Sequence, residues 1–190
     1  MRSINPTNFE AIPAFAGNGK HGRRVHAIIE TPRDIRHKYA FEPKLGIFRL
    51  KQTLPEGMQW PYDYGFIPRT LAADGDPLDI LVLNAIPTFT GCLVETRILG
   101  IVKLEKNGEE NDRVIAALPQ RDGVSQPSDE YDDVDDLPKE TLHDICHFLV
   151  DYSAEEGNEI VYKGVKSRKK AMAAIEDAMK NYEKKAKKSA

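Results

Sequence analysis

Short apolar runs separated by turn residues fill most of the first 120 positions of this 190-residue chain. Runs of this length, bounded by Gly, Pro and Asp, are typical of β-strands. Because no helical segments alternate with them, a parallel βαβ sheet is disfavoured and a small, mostly antiparallel barrel or curved sheet is predicted. The predicted strands are residues 25–31, a hairpin made by 39–41 and 46–50, and residues 80–83, 93–104 and 114–118.

Helical periodicity appears only near the C-terminus. Asp136 and Pro138 supply a cap and a proline near the first turn, and the apolar positions after them recur at helical spacing as far as Tyr152. A second helix is predicted over residues 167–188, with a narrow apolar stripe among lysines. Residues 1–22 hold Pro, Asn and Gly without a period, so we expect a loose N-terminal arm.

Composition narrows the functional classes. The formal charge of -3 and the pI near 6.0 argue against a nucleic-acid binder. Cys92 and Cys146 are too few for a disulfide framework or a zinc site, and we expect two buried thiols. No run of 18 apolar residues and no signal-peptide pattern is present, so we expect neither membrane association nor secretion but a cytoplasmic location. With no repeat or linker, residues 1–190 are predicted to form a single domain.

Three carboxylates lie within the six-residue segment DGDPLD, directly before a predicted buried strand. They belong to Asp74, Asp76 and Asp79. Pro77 forbids a regular helix here, and Gly75 lets the backbone pass close to a bound group. Carboxylates this close repel one another unless a cation lies between them, and Mg²⁺ prefers oxygen ligands. The segment therefore predicts a divalent-metal site, the alternative being an acidic turn without a ligand.

Other motif interpretations fail on spacing. An EF-hand loop needs a ligand at its fifth position and Gly at its sixth, where this chain has Leu78 and Asp79. Residues 17–22 (GNGKHG) formally match a dinucleotide-binding fingerprint, but they precede a strand and are predicted to be a flexible loop. His143 and His147 are one helical turn apart without an HExxH motif, which favours a surface pair over a zinc site.

Basic residues are scattered through the predicted strands, and phenolic residues lie directly upstream of the acidic segment in residues 60–68. A site for a small phosphate compound needs both kinds of group, acids for metal ions and basic or phenolic donors for phosphoryl oxygens.

Residues 60–83 (WPYDYGFIPRTLAADGDPLDILVL) resemble the core signature of the family I soluble inorganic pyrophosphatases. Residues 28–32 look like the family's early strand with its site glutamate, and residues 37–39 like the strand with its phosphate-binding lysine. The helix ending at Tyr152 looks like the one that supplies a phosphate-binding tyrosine. The resemblance covers the chain apart from its first twenty and last twenty residues.

This resemblance implies a mainly β fold with flanking α-helices, a small closed OB-like β-barrel with two C-terminal helices, often assembled as a homo-oligomer. It implies hydrolysis of pyrophosphate to two phosphates with several Mg²⁺ ions per site, Mn²⁺ being a possible substitute. Asp74 and Asp79 would bind metal, Asp76 would accept a proton from the attacking water, and Glu30 would lie near the metals through water. The expected phosphate-binding residues are Lys38, Lys51 (where the family usually has arginine), Tyr64, Arg113 and Tyr152.

The family's second acidic cluster, usually two aspartates and a lysine, corresponds to residues 105–113 (EKNGEENDR). Arg113 takes the place of the lysine and Glu105 that of the first aspartate. The second metal-binding aspartate corresponds to either Asn111 or Asp112. We favour Asp112, because a neutral amide is a poor replacement for a metal-binding carboxylate.

Further departures from the family pattern leave alternatives open. Ala40 stands where a glutamate is common, and Ser153 follows Tyr152 where a lysine is frequent. One alternative is a catalytically weakened paralogue that binds metal and phosphate. A second is a hydrolase of another diphosphate compound, such as a nucleotide. A third, a nucleic-acid-binding barrel, is disfavoured by the acidic balance.

Overall fold

The computed structural model describes residues 9–19, 22–119, 130–155 and 157–189, and that part of the chain holds ten β-strands and two α-helices. The strands are β1 (Phe15–Gly19), β2 (Gly22–Thr31), β3 (His37–Glu42), β4 (Ile47–Thr53), β5 (Asp63–Phe66), β6 (Asp79–Leu83), β7 (Leu93–Lys106), β8 (Glu109–Glu110), β9 (Arg113–Ala117) and β10 (Ile160–Ser167). The helices are α1 (Lys139–Glu155) and α2 (Arg168–Ser189), with short 3-10 turns at Phe9–Ala11 and Val134–Asp136.

Five strands close into a barrel in the order β2, β5, β6, β9 and β7, because β7 pairs back onto β2. Within the described residues, β6 with β9 is the one parallel pairing. Strands β1 and β10 extend the sheet beyond the barrel, and β3 with β4 forms a separate two-stranded sheet. The closed, mostly antiparallel barrel with two C-terminal helices confirms the predicted fold class.

Strand β6 is buried on both faces, which explains its continuous apolar sequence. Ile80 and Val82 belong to one core cluster together with Ile175 of α2. Leu81 belongs to a second cluster on the opposite face, together with Ile145 of α1. Each helix therefore covers one side of the same central strands.

The structure corrects the prediction of a loose N-terminal arm. Residues 15–19 form β1, which pairs with β2 from Phe15 opposite Val25 to Gly19 opposite Gly22. Phe15 packs against the cluster that contacts α2, and the Arg23 guanidinium lies 3.5 Å from the centre of its ring. The predicted flexible loop at 17–22 thus contains the end of β1. Residues 1–8 lie outside the described part of the chain.

Strands β5 and β10 were missed by the sequence prediction. β5 is only four residues long, and it is buried throughout, so it has no alternating pattern. β10 pairs along the second half of β7 and presents mostly exposed or half-buried side chains.

Residues 130–136, the described part of an acidic run, cap backbone groups, while Asp132, Asp135 and Asp136 stay exposed. Asp133 accepts hydrogen bonds from the N–H groups of Val134 and Arg168. Asp136 accepts from the N–H groups of Asp132 and Asp133, which lowers its pKa.

Cys92 is half-buried, Cys146 is buried, and both thiols are free. No helix in the described ranges combines the length and apolar character needed to cross a membrane.

Gly65 allows β5 to approach β2 closely. A β-carbon at Gly65 would overlap the Ile28 carbonyl oxygen and lie 2.8 Å from its carbonyl carbon, and backbone atoms cannot move aside as a flexible side chain can. We expect Gly65→Ala to lower the free energy of unfolding by about 3 kcal/mol or more. Urea denaturation of the purified protein measures this change.

Gly157→Ala is the control, because Gly157 has φ +77° and open space around it. Its cost should be about 1 kcal/mol, from the left-handed backbone alone. A Gly65→Ala cost no larger than that of the control would contradict the predicted clash.

Candidate active site

A pocket of about 580 Å³ gathers the predicted site residues, except Glu105 and Asp112. Its walls come from the β3–β4 hairpin, the loop before β6, the adjacent ends of β7 and β9, and both helices. The predicted residues that line it are Glu30, Lys38, Lys51, Tyr64, Asp74, Asp76, Asp79, Arg113 and Tyr152.

The acidic segment forms a turn at the pocket wall. Asp74 and Asp76 are exposed, and the Asp76 N–H donates to Asp74 Oδ1 at 3.1 Å. Gly75 between them has φ +89°, a conformation that favours glycine. The Thr70 hydroxyl accepts the Leu78 N–H at 2.9 Å and fixes the end of the turn. Two carboxylates are therefore held side by side at the solvent-facing part of the pocket.

An ion pair between the half-buried Asp79 and the buried Arg113 lies at the start of β6. Asp79 is directly opposite Arg113 in the parallel pairing of β6 with β9, and Arg113 Nη1 lies 2.9 Å from Asp79 Oδ2. Tyr64, also buried, hydrogen-bonds to Asp79. Burial raises the pKa of Asp79, against the opposing effects of Arg113 and Tyr64, and burial raises the pKa of Tyr64 well above its usual value.

Asn111, rather than the favoured Asp112, lines the pocket. The Asn111 amide donates to Asp74 Oδ2 at 2.7 Å, and its oxygen accepts from Arg113 Nη2 at 2.6 Å. Asp112 is next along the extended chain and so faces the other way. There it contacts the Lys103 ammonium and accepts the Leu104 N–H at 3.4 Å.

Glu105, the expected first acid of the same cluster, also lies outside the pocket. Its carboxylate pairs with Lys163 of β10 at 3.2 Å. Its neighbour Lys106 lines the pocket instead. The second acidic cluster expected from the resemblance therefore contributes no carboxylate to the pocket.

Glu30 reaches the pocket because of a β-bulge. The register of β2 on β5 shifts between Ile29 and Thr31, and a bulge of this kind re-aims a side chain. Glu30 is buried, and its Oε1 accepts the Phe41 N–H at 2.7 Å. Burial and, to a smaller extent, the nearby Asp79 carboxylate raise its pKa to about 8, against the lowering effect of the Phe41 hydrogen bond.

Lys38 and Tyr152 meet on the wall formed by the β3–β4 hairpin and α1. The Lys38 ammonium hydrogen-bonds to the Tyr152 hydroxyl and lies 4.7 Å from the centre of its ring. Trp60 packs against both tyrosines. Its ring centre lies 4.9 Å from that of Tyr152 and 4.7 Å from that of Tyr64. Because Trp60 is fully buried, it offers no face for stacking a nucleobase.

Several pocket residues were not singled out from the sequence. They are Glu10, Glu42, Arg69, Lys106 and Tyr182. For Lys106 the strand alternation that continues from buried Leu104 was the available signal. For Tyr182, which comes from α2, no local pattern relates it to the site.

The chemistry of the oxygen donors fits a divalent cation. Glu30, Asp74, Asp76 and Asp79 share one pocket, and Mg²⁺ takes carboxylate oxygens of this kind. Their present geometry is not a closed cage, since in the described ranges no three His, Cys, Asp or Glu side chains converge on one metal position. Asp79 is held by Arg113 and Asp74 by Asn111, so these two carboxylates are occupied by protein donors.

Known proteins match the chain along most of its length. The Pyrophosphatase family model, described as inorganic pyrophosphatase, matches residues 27–183. The inorganic pyrophosphatase of Geobacillus stearothermophilus is 41% identical over 134 residues, 70% of this chain and 78% of that protein. The one from Thermus thermophilus is 37% identical over 161 residues, 83% and 90% of the two chains. A crystal structure of inorganic pyrophosphatase from Thermus thermophilus superposes with a TM-score of 0.78 at 33% identity, covering 90% of this chain and 98% of that one.

The Asp79–Arg113 ion pair, whose two side chains are 22% and 10% exposed, is expected to stabilise the fold. Asp79→Asn leaves the Arg113 charge, whose side chain is 10% exposed, without its closest carboxylate. We expect the free energy of unfolding to fall by about 2 kcal/mol, less than for a fully isolated pair because Asp74 remains nearby. Urea denaturation in the presence of a chelator measures the change without metal binding.

Glu176→Gln is the matched control, since Glu176 pairs with Arg23 at 3.7 Å with both side chains about half exposed. Its cost should stay within about 0.5 kcal/mol. Equal costs for the two variants would show that the less exposed Asp79–Arg113 pair contributes no more than a surface pair.

Proposed function

We propose that this chain, which belongs to the inorganic pyrophosphatase family, is a Mg²⁺-dependent hydrolase. It splits pyrophosphate into two phosphates. Water is the attacking group, and no covalent phosphoenzyme forms. The observation that supports this most strongly is a single pocket that joins the DGDPLD carboxylates to basic and phenolic donors on two facing walls. Such a pocket suits a small substrate with several negative charges and the cations that accompany it.

Asp74, Asp76 and Asp79 are the residues that would hold Mg²⁺, with Glu30 in reach through water. Bound Mg²⁺ would supply positive charge for the phosphoryl oxygens and lower the pKa of a coordinated water. We assign to Asp76 the acceptance of the proton from the attacking water. Its exposed position in the acidic turn supports this role, because its carboxylate is accessible to both solvent and substrate.

The two walls of the pocket would bind the phosphate oxygens. Lys38 and the Tyr152 hydroxyl, which touch one another, present two donors at one point. Lys51 on β4 adds an exposed ammonium to the same wall, and Arg113 presents its guanidinium from β9. Tyr64 orients Asp79 through its hydrogen bond. Donors fixed in advance around the charge that grows on the leaving phosphate are the main source of catalysis in phosphoryl transfer.

A catalytically weakened protein that binds metal and phosphate remains the second candidate, and Asn111 is the observation that favours it. An amide in place of a carboxylate removes one negative charge from the metal side of the pocket, and Ala40 on the pocket wall carries no charge. Ser153 is buried, and it is absent from the described pocket lining, so it has less bearing on the reaction.

We also propose that the chain acts in the cytoplasm and assembles as a homo-oligomer. The exposed Ile86 and Phe89, 77% and 67% accessible, lie close together in the chain and support a contact with another subunit. Light scattering on the purified protein should give a mass that is a multiple of 21.4 kDa. A mass equal to the single chain at micromolar concentration would contradict this assembly.

The assignment of Asp76 is tested by phosphate release from pyrophosphate with Mg²⁺ present. Asp76→Asn should keep the fold, since the side chain is exposed, and should slow turnover by roughly 10²–10⁴-fold, as expected for a lost general base. Asp177→Asn, on α2 and away from the pocket lining, is the control and should retain full activity. Undiminished turnover by Asp76→Asn would refute the assignment.

A further inference from the structure

Lys106 lies on a pocket wall that differs in charge from the rest of the site. The adjacent ends of β7 and β9 contribute Lys106, Asn111 and Arg113 to the described pocket lining, and no carboxylate. The carboxylates of the acidic turn and Glu30 come from other elements. One part of the pocket therefore carries an amide and two cationic groups, where the family resemblance led us to expect two acids.

The alternation of side chains along β7 directs Lys106 toward the pocket. Leu104 is buried in the same core cluster as Tyr64 and Tyr152, which line the pocket. Glu105 follows on the other face, where it pairs with Lys163. Lys106 is therefore on the same face as Leu104, two residues farther along and at the end of the strand.

Asn111 lies beside the same point, because its N–H donates to the Leu104 carbonyl oxygen at 2.9 Å. Both polar atoms of its side chain are already engaged, the nitrogen with Asp74 and the oxygen with Arg113. Since the amide oxygen accepts from a guanidinium, it is a poor donor to a metal ion. This arrangement ties Arg113 to the acidic turn, and Lys106 adds a second cationic group at the end of the same wall.

An ammonium group repels a divalent cation and attracts a phosphate oxygen at short range. We infer that Lys106 binds a phosphate group of the substrate, so that the β7–β9 wall holds an anion rather than a metal ion. Lys106 then extends the binding surface of Lys38, Lys51 and Arg113 to a further side of the pocket. This inference rests on the proposed pyrophosphatase function, since it assigns to Lys106 a part of the same substrate.

The test compares Lys106→Ala with Lys163→Ala, a lysine of the neighbouring strand whose partner Glu105 lies outside the pocket. Steady-state hydrolysis of pyrophosphate gives KM and kcat, and calorimetry with inorganic phosphate in excess Mg²⁺ gives a binding constant without turnover. We expect Lys106→Ala to weaken phosphate binding and raise KM about tenfold, the loss typical of a charged hydrogen bond. Lys163→Ala should match the wild type, and Lys106→Arg should recover most of the phosphate affinity.

A Mn²⁺ titration of the chelator-treated protein separates anion binding from a structural role. Because Lys106 repels cations, Lys106→Ala should bind Mn²⁺ at least as tightly as the wild type. Weaker Mn²⁺ binding with unchanged phosphate affinity would overturn the inference, since Lys106 would then support the metal side of the site.

The outcomes also separate this inference from the proposed function. An active wild type with Lys106→Ala equal to Lys163→Ala would overturn the role of Lys106 and leave the pyrophosphatase proposal intact. A wild type that neither releases phosphate from pyrophosphate nor binds phosphate would overturn both.

Discussion

The ion pair between Asp79 and Arg113 is the interaction on which the site depends. It joins the first residues of β6 and β9, which form the parallel pairing of the barrel, and both side chains face the pocket. Arg113 extends the connection through Asn111 to Asp74. The Arg113 guanidinium thus connects the acidic turn and β6 with the pocket wall at the start of β9. Removing a charge pair from water costs free energy, and here both charges line the pocket that is proposed to take a charged substrate and its cations.

Much of the fold follows from patterns that are local in sequence. Residues 80–83 are continuously apolar because β6 is covered by a helix on each side, and the periodic stripe of α2 gave that helix within one residue at each end. β1 was not predicted, because a segment that contains Gly and Asn has little strand propensity. Its structure is determined instead by its pairing with β2 and by the packing of Phe15. The closure of β7 onto β2 is a contact between distant segments, which local patterns do not contain.

The acidic turn could be predicted in more detail than the rest of the site, since three carboxylates within six residues limit the possible chemistry. The pocket residues of the second cluster could not be predicted in this way, because they depend on which face of the chain lines the pocket. Asp112 is the better ligand by charge, but the hydrogen bond of the Asn111 N–H to the Leu104 carbonyl oxygen fixes the strand register and places Asn111 inward. The position of the Glu30 side chain depends similarly on a β-bulge, which the local sequence does not predict.

We propose that this pocket uses divalent cations to hydrolyse pyrophosphate despite its amide at position 111 and its lysine at position 106. The decisive measurement is phosphate release from pyrophosphate by the purified wild-type protein, with Mg²⁺ and again after chelation. We expect steady release that stops on chelation and returns when Mg²⁺ is restored. No release with Mg²⁺ present from a folded protein that still binds phosphate would contradict it, and would favour a binding protein over an enzyme.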